Sequence, residues 1–137
     1  MHPFVELAVP AGAVAIHWFE QSSYAIKDNQ GTMMLVDPYF PHERPAERFI
    51  HAAPPVDEAE LPVDYVLLTH DHLDHTHAET LRRVLQASPK AIFAGPHHIA
   101  QMCDIGWLDV RSRIPTGQLG IDHMYRHRSQ TYCIANL

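Results

Sequence analysis

The sequence predicts a mixed α/β fold, and two features carry this prediction. Near the N-terminus, three short apolar segments are separated by tight turns, which is typical of an antiparallel meander of strands. Beyond them, short apolar runs alternate with helical patterns, which is typical of a sheet with helices packed on it. The predicted strands cover residues 13–18, 23–27, 32–36, 64–69 and 91–94.

The strand predicted at residues 64–69 is followed by a helix. Its sequence, D-Y-V-L-L-T, is apolar without alternation, as expected for a strand that is covered on both faces. Thr76 and Glu79 then have the spacing of a capping box, which predicts a helix over residues 77–87 with Thr76 as its cap. This helix carries an apolar stripe with i, i+3, i+4 spacing, formed by Leu81, Val84 and Leu85.

A long loop separates the meander from the strand at residues 64–69. Prolines at positions 38, 41 and 45 exclude regular strand pairing there, so we expect a loop with a helical turn near residues 46–51. Long loops in compact domains are often functional. Its charged side chains are expected either to contact a polar or anionic substrate or to form a solvated surface: His42, Glu43, Arg44 and Arg48.

The C-terminal part of the chain is more weakly patterned. Gly95 and Pro96 open a second predicted helix, for which Gly106 is a natural stop. No period persists after that, although a hairpin would fit residues 114–121. We therefore expect a domain over residues 1–106 and an atypical, poorly ordered tail over residues 107–137.

Charge, hydropathy and cysteine content exclude several classes of function. The chain has 10 basic and 16 acidic residues, a formal net charge of −6 and no basic stripe, so nucleic acid is not an expected partner. Its longest apolar runs are too short to span a bilayer, and its N-terminus lacks the basic start of a signal peptide. Two cysteines without framework spacing suit a reducing compartment, so we expect a cytoplasmic protein without a membrane partner.

The densest group of metal-ligating side chains follows the strand at residues 64–69, in the stretch H70-D-H-L-D-H75. In extended backbone, residues two apart point the same way, so His70 and His72 are expected to meet one metal ion. A tight turn at Asp74 and His75 would aim both of these side chains at the same pocket. Imidazole and carboxylate groups suit Zn²⁺, and also Fe²⁺ or Mn²⁺.

The competing explanation is a set of surface histidines, because histidine makes up 12 of the 137 residues. Three histidines and an aspartate within six residues, at the end of a buried strand, favour a metal site. A bound metal lowers the pKa of water and supplies hydroxide, and Asp74 would orient that water or accept its proton. Asp37 precedes a proline. It would either form a hydrogen bond to the second ring nitrogen of a histidine ligand, or only form a turn.

The stretch T69-H-D-H-L-D-H75 resembles the T-H-x-H-x-D-H signature of metallo-β-lactamase-fold hydrolases. The flanking stretches H17-W-F-E-Q-S-S-Y24 and M34-L-V-D-P-Y39 are similar to the branch that includes ascorbate-6-phosphate lactonase. The resemblance covers roughly the first hundred residues and implies the N-terminal half of an αββα sandwich. It also implies that His70 and His72 bind a first metal ion, that Asp74 and His75 bind a second, and that Asp37 supports them without binding.

The same resemblance implies ligands that the chain does not plainly contain. A further histidine and a bridging aspartate should lie on later strands, with a final histidine in a second half, yet only 62 residues follow His75. The remaining candidates are His97, His98, Asp122, His123 and His127. A truncated or frame-altered form of a longer hydrolase would explain this pattern, and its exposed apolar strands would favour a homo-oligomer.

We therefore predict a hydrolase that holds one or two divalent ions, with zinc preferred. Its expected substrate is an ester, lactone or phosphoester of a small molecule, attacked by metal-activated water. β-Lactam hydrolysis and cleavage of RNA phosphodiesters remain open, because the resemblance gives them the same metal core. The alternative is a truncated fragment that binds metal but has weak or no catalytic activity.

Overall fold

The computed structural model describes residues 1–95, together with the backbone of residues 124–127 and 130–133. The helices are α1 (Pro3–Glu6), a 3₁₀ helix (Glu58–Glu60) and α2 (Ala78–Ala87). The strands are β1 (Val14–Glu20), β2 (Ser23–Asp28), β3 (Met33–Val36), β4 (Tyr65–Leu67), β5 (Ile92–Ala94), β6 (Met124–His127) and β7 (Gln130–Cys133).

Strands β1 to β5 form one mixed sheet in the order β1-β2-β3-β4-β5. β1, β2 and β3 pair antiparallel, which confirms the predicted meander, whereas β4 and β5 join in parallel. Parallel pairing requires a crossover, and α2 makes it between β4 and β5. This sheet with its few helices confirms the mixed α/β class. β6 and β7 pair antiparallel in a separate two-stranded sheet.

One face of the five-stranded sheet, here called the inner face, carries the hydrophobic core. Alternate strand residues such as Phe19, Leu35 and Val66 point to this face and are almost completely buried. Leu81 and Val84 of α2 pack on them, as the predicted apolar stripe requires. Phe4 of α1 joins the same core, so the helices cover the inner face.

The opposite face, here called the outer face, corrects the prediction for the strand at residues 64–69. That strand was expected to be covered on both faces, but Val66 and Leu68 are 1% exposed while Leu67 is 37% exposed. An unbroken apolar run therefore does not signify burial on both sides here. Within residues 1–95, α1, α2 and the long loop contribute to the core on the inner face.

The start of α2 corrects a second prediction. The residue that caps the helix is His77, whose Nδ1 accepts a hydrogen bond from the Thr80 amide at 3.3 Å. Thr76 was expected in this role. Its hydroxyl instead donates to the carbonyl oxygen of His70 at 2.6 Å, so it closes the preceding loop. The predicted helix itself is confirmed, because α2 spans Ala78–Ala87.

The loop after β3 contains one turn at residues 46–48, in place of the helical turn expected over residues 46–51. Arg44 corrects the expectation of a wholly solvated charged loop. Its side chain is fully buried, pairs with Glu20 at the end of β1, and lies 4.1 Å from the centre of the Phe49 ring. The other three residues in that prediction, His42, Glu43 and Arg48, are exposed.

Several predictions concern residues outside the described part of the chain. These are the second helix after Gly95, the hairpin over residues 114–121 and the domain boundary at residue 106. The same applies to the side chains proposed as later ligands: His97, His98, Asp122, His123 and His127. Within the described residues, no helix has the length and apolar character needed to cross a membrane.

Candidate metal centre

The candidate metal centre lies at the carboxyl ends of the neighbouring parallel strands β3 and β4. The backbone register pairs Val36 with Leu67, so Asp37 and Thr69 emerge at the same edge of the sheet. The loop over residues 69–77 then carries the clustered histidines to the start of α2. Open α/β sheets commonly bind ligands at this edge.

A compact backbone turn folds this loop back on itself. The amides of His75 and Thr76 both donate to the carbonyl oxygen of His72, at 2.9 and 2.7 Å. The Thr76 hydroxyl holds the carbonyl of His70 on the opposite side of the turn. As a result, side chains up to five positions apart in sequence are brought together.

His70 and His72 form the first pair of possible ligands. Nε2 of His70 lies 3.1 Å from Nδ1 of His72, and their ring centres are 4.5 Å apart. Two nitrogen ligands of one tetrahedral zinc ion are separated by about 3.3 Å, given Zn–N distances near 2.05 Å. The two nitrogens are therefore spaced as ligands of a common ion would be.

Asp74 and His75 form the second pair. Oδ2 of Asp74 lies 3.7 Å from Nε2 of His75, a spacing that also fits two ligands of one ion. The rings of His70 and His75 have centres only 3.8 Å apart, so the two pairs adjoin each other. The side chain of Asp74 is 53% exposed, which leaves it open to a ligand from solvent.

Asp37 lies beneath these pairs and is 3% exposed. Its Oδ1 accepts from the Thr69 amide at 2.7 Å, while its Oδ2 accepts from the Thr69 hydroxyl at 2.6 Å and lies 2.8 Å from Nδ1 of His75. Its φ of +45° lies in the left-handed region, which aspartate tolerates better than most residues.

Asp37 can be interpreted as a ligand or as a support. One possible ligand atom each from Asp37, His70 and His75 lie within 4.8 Å of one another, which would suit direct binding. However, both carboxylate oxygens are already engaged by hydrogen bonds. We therefore favour a supporting role, in which Asp37 orients His75 from behind.

These hydrogen bonds also determine which ring nitrogens are free for a metal. The hydroxyl proton of Thr69 is donated to Asp37, so Thr69 Oγ1 accepts from Nδ1 of His70, 2.9 Å away. Nδ1 of His75 donates to Asp37 in the same way. Both rings then carry their proton on Nδ1 and present the Nε2 lone pair to the cluster.

Two serines before and within β2 connect the meander to this centre. Ser23 is fully buried, and its hydroxyl donates to the carbonyl oxygen of Asp37 at 2.9 Å. Ser22 donates to the carbonyl oxygen of Asp74 at 3.2 Å. The sequence analysis missed both contacts, because 14 and 52 positions separate the partners and no local pattern marks them.

His77 belongs to the same histidine-rich stretch, but its hydrogen bonds point away from the ligand pairs. Its Nδ1 lies 2.8 Å from the Thr80 hydroxyl in α2. Its ring meets the Tyr39 ring edge-on, with 5.1 Å between the ring centres. Burial lowers the pKa of His77 below its ordinary value, although the nearby Glu79 carboxylate opposes this effect. His77 therefore caps α2 and lies outside the two ligand pairs.

Comparison with known proteins places these observations in a family. The family model described as a beta-lactamase superfamily domain matches residues 15–134. A UPF0173 metal-dependent hydrolase of Polynucleobacter asymbioticus is 34% identical over 68 residues, covering 47% of this chain and 21% of the relative. A UPF0173 metal-dependent hydrolase of Thermodesulfovibrio yellowstonii is 38% identical over 65 residues, covering 47% of this chain and 22% of the relative. The chain thus aligns with about a fifth of the length of these relatives.

Proposed function

Because the chain belongs to the beta-lactamase superfamily of domains, we propose that it is a metal-dependent hydrolase of a small-molecule ester, lactone or phosphoester. One observation carries this proposal: two pairs of possible ligands lie side by side at the edge of the sheet, His70 with His72 and Asp74 with His75. The names of the two relatives, both metal-dependent hydrolases, support the same class of activity.

In this proposal each residue of the cluster has a defined task. His70 and His72 hold one divalent ion through Nε2 and Nδ1, and His75 with Asp74 holds a second. Asp37 keeps the His75 ring in the tautomer that presents Nε2. Asp74 is also the proposed catalytic group, because its exposed carboxylate is placed to accept a proton from the attacking water.

The proposed metal is zinc, with manganese or iron as alternatives. Three imidazoles and one carboxylate suit Zn²⁺, whereas Mg²⁺ and Ca²⁺ prefer all-oxygen sites. A bound divalent ion acidifies water, so that hydroxide is available near neutral pH. The described residues offer two ligands to each ion, which leaves coordination positions open for substrate and water.

The proposed substrate class is based on sequence resemblance. The stretches around Trp18 and Asp37 that resemble the lactonase branch support a lactone or a phosphorylated sugar as the first substrates to test. The alternative proposal is a chain that binds metal without turnover. It is supported by the number of possible ligands among the described residues, two to each ion, whereas catalytic zinc sites usually have three protein ligands.

The two proposals are separated by measuring metal content and turnover on the same preparation. The purified chain is loaded with Zn²⁺, Mn²⁺ or Fe²⁺, and bound metal per chain is measured by plasma mass spectrometry. Hydrolysis is followed with a p-nitrophenyl ester, a γ-lactone and bis(p-nitrophenyl) phosphate. The hydrolase proposal predicts stoichiometric metal and turnover of at least one of these classes.

The variants His70→Ala and His51→Ala provide the matched comparison. Both remove one histidine, but His51 is an exposed residue of the loop after β3 and is not among the loop residues considered for substrate contact. We expect His70→Ala to lose metal and turnover, and His51→Ala to retain both. Stoichiometric metal without turnover of any substrate would favour the binding alternative, while equal losses in both variants would contradict the proposed site.

A further inference from the structure

Residues 2–7, here called the strap, lie across the inner face of β1 and β2. Phe4 anchors the strap in the hydrophobic core and is 6% exposed. The buried Nζ of Lys27, on β2, donates to the carbonyl oxygens of Val5 and Leu7, the latter at 2.8 Å. The strap is therefore attached to the sheet by an apolar side chain and by a cation that its own backbone solvates.

Two histidine rings meet beneath the strap. The ring of His2, in the strap, and the ring of His17, on β1, have centres 5.0 Å apart. The centre of the His17 ring also lies 4.7 Å from that of Phe19 and 5.4 Å from that of Phe4. His17 is thus bordered by aromatic rings from both the strap and its own strand.

His2 has a second role, as the N-cap of α1. Its Nδ1 accepts a hydrogen bond from the Phe4 amide at 3.3 Å. The acceptor is the lone pair of a neutral ring, and a proton on Nδ1 converts it into a donor. Protonation of His2 therefore removes the cap of α1.

The charged and titratable groups around His17 favour its neutral form. Burial of the ring lowers the pKa of His17, and the neighbouring His2 lowers it further. Lys27 adds a positive charge from β2, on the same face of the sheet. The carboxylates nearest the strap are exposed and therefore screened: Glu6 lies at the end of α1, and Glu60 of the 3₁₀ helix pairs with the amino-terminal group at 3.2 Å.

We infer that the strap is an acid-sensitive latch, closed while His2 and His17 are neutral and shifted toward an open state when they bind protons. In acid, α1 loses its cap, and two adjacent imidazolium rings repel each other beside Lys27. Opening exposes His17 to water, which returns its pKa to the ordinary value of about 6.5. Because the pKa of His17 is lower than this under the closed strap, closure is most stable above about pH 6.5 and weakens as the pH falls through the lowered pKa.

Hydrogen exchange of the full chain from about pH 8 to about pH 5, corrected for intrinsic exchange rates, tests the latch. The amides of the strap report its closure, for example that of Val5, which donates to the carbonyl oxygen of His2 at 2.9 Å. We expect their protection to fall at least about fivefold toward acid, the factor that corresponds to one lost N-cap. The amides of β3 and α2 should keep their protection over the same range.

The double variant His2→Asn/His17→Phe should abolish this fall. Asparagine caps helices without titrating, and phenylalanine retains the aromatic packing of the His17 ring. His51→Phe is the matched control, because His51 is exposed in the loop after β3, and it should open in acid as the wild type does. Unchanged wild-type protection, or an equal fall in the double variant, would overturn the inference. Protection lost from β3 and α2 together with the strap would overturn it as well, since the whole sheet would then be unfolding.

A second measurement keeps the inference testable if the double variant does not fold. In the single variant His2→Asn, the charge that adjoins His17 in acid is removed while the cap is kept. The pKa of His17, followed by the chemical shifts of its ring protons, should therefore rise relative to the wild type. An unchanged pKa would show that the two rings do not interact and would overturn the latch.

Discussion

The candidate metal centre has two halves that are held in different ways. The inner half, Asp37 with Thr69 and His75, is joined by three hydrogen bonds to one buried carboxylate. In the outer half, His70, His72 and Asp74, the side chains of His72 and Asp74 are exposed. The two aspartates illustrate the contrast, since Asp37 is 3% exposed and the side chain of Asp74 is 53% exposed.

This difference indicates that the inner half contributes mainly to folding, while the outer half is available for binding. The inner half is satisfied by the protein itself, so it contributes to the stability of the chain without a metal ion. Under the proposed function, the outer half gains its main partner when an ion binds, so we expect its side chains to contribute little to folding alone. Substitutions in the two halves should therefore separate stability from metal affinity.

The largest effect on stability is expected for Asp37→Ala. The substitution removes an acceptor from the Thr69 amide, the Thr69 hydroxyl and His75, and it places alanine at a φ of +45°. We expect a loss of about 4 kcal/mol in the free energy of unfolding, because three hydrogen bonds to a buried carboxylate are lost. Urea denaturation of the metal-free protein measures this loss.

Asp74→Ala is the control for that measurement. It also removes a carboxylate from the cluster, but an exposed one, so we expect a change of less than about 0.5 kcal/mol in the metal-free protein. Similar destabilisation by the two substitutions would refute the distinction between the inner and outer halves.

Asp37→Asn should weaken metal binding by about 100-fold, because it changes the tautomer of His75. Asparagine keeps the shape of the side chain and tolerates the left-handed backbone. Its amide group donates where the carboxylate accepted, so Nδ1 of His75 becomes an acceptor and the proton moves to Nε2. Titration with Zn²⁺ measures the affinity, and nitrogen chemical shifts of the histidine rings report the tautomer. Unchanged affinity with a shifted tautomer would show that His75 is not a ligand.

Thr69→Val should cost about 1.5 kcal/mol of stability, because it removes one hydrogen bond to a charged group. Valine retains the shape of threonine but lacks the hydroxyl that donates to Asp37 and lies 2.9 Å from Nδ1 of His70. The measurement is again urea denaturation without metal. Thr69→Ser keeps the hydroxyl and should recover most of the loss, and a serine variant as unstable as the valine variant would contradict this assignment.

The fold could be predicted from sequence wherever local patterns decide it. The strands of the meander and helix α2 follow from apolar periodicity and turn residues, which act over a few positions. The burial of β4 could not be predicted, since an apolar run has the same appearance whether one face or both are covered. Arg44 was missed for a similar reason, because its partner Glu20 lies 24 positions away and only the folded loop brings them together.

The candidate site could be located from sequence because its proposed ligands are consecutive in the chain. Spacing alone indicated that His70 and His72 point the same way. In the structure, Nε2 of His70 lies 3.1 Å from Nδ1 of His72. The supports of the site depend on long-range packing. Ser22 acts from the turn between β1 and β2 and Ser23 from the first position of β2, and nothing in their local sequence marks either contact.

The smallest effect is expected for Ser22→Ala, at the point where the outer half meets the meander, and Ser23→Ala completes the comparison. Ser23 holds the inner half through a fully buried hydroxyl, whereas Ser22 holds the outer half through an exposed contact of 3.2 Å to the carbonyl oxygen of Asp74. Water replaces an exposed hydrogen bond at little cost, so Ser22→Ala should change stability by less than about 0.5 kcal/mol. Ser23→Ala should cost about 2 kcal/mol, because the partly buried Tyr39 amide loses its acceptor. Urea denaturation of both variants decides the point, and a larger loss for Ser22→Ala would mean that the outer half is held by the protein as firmly as the inner half.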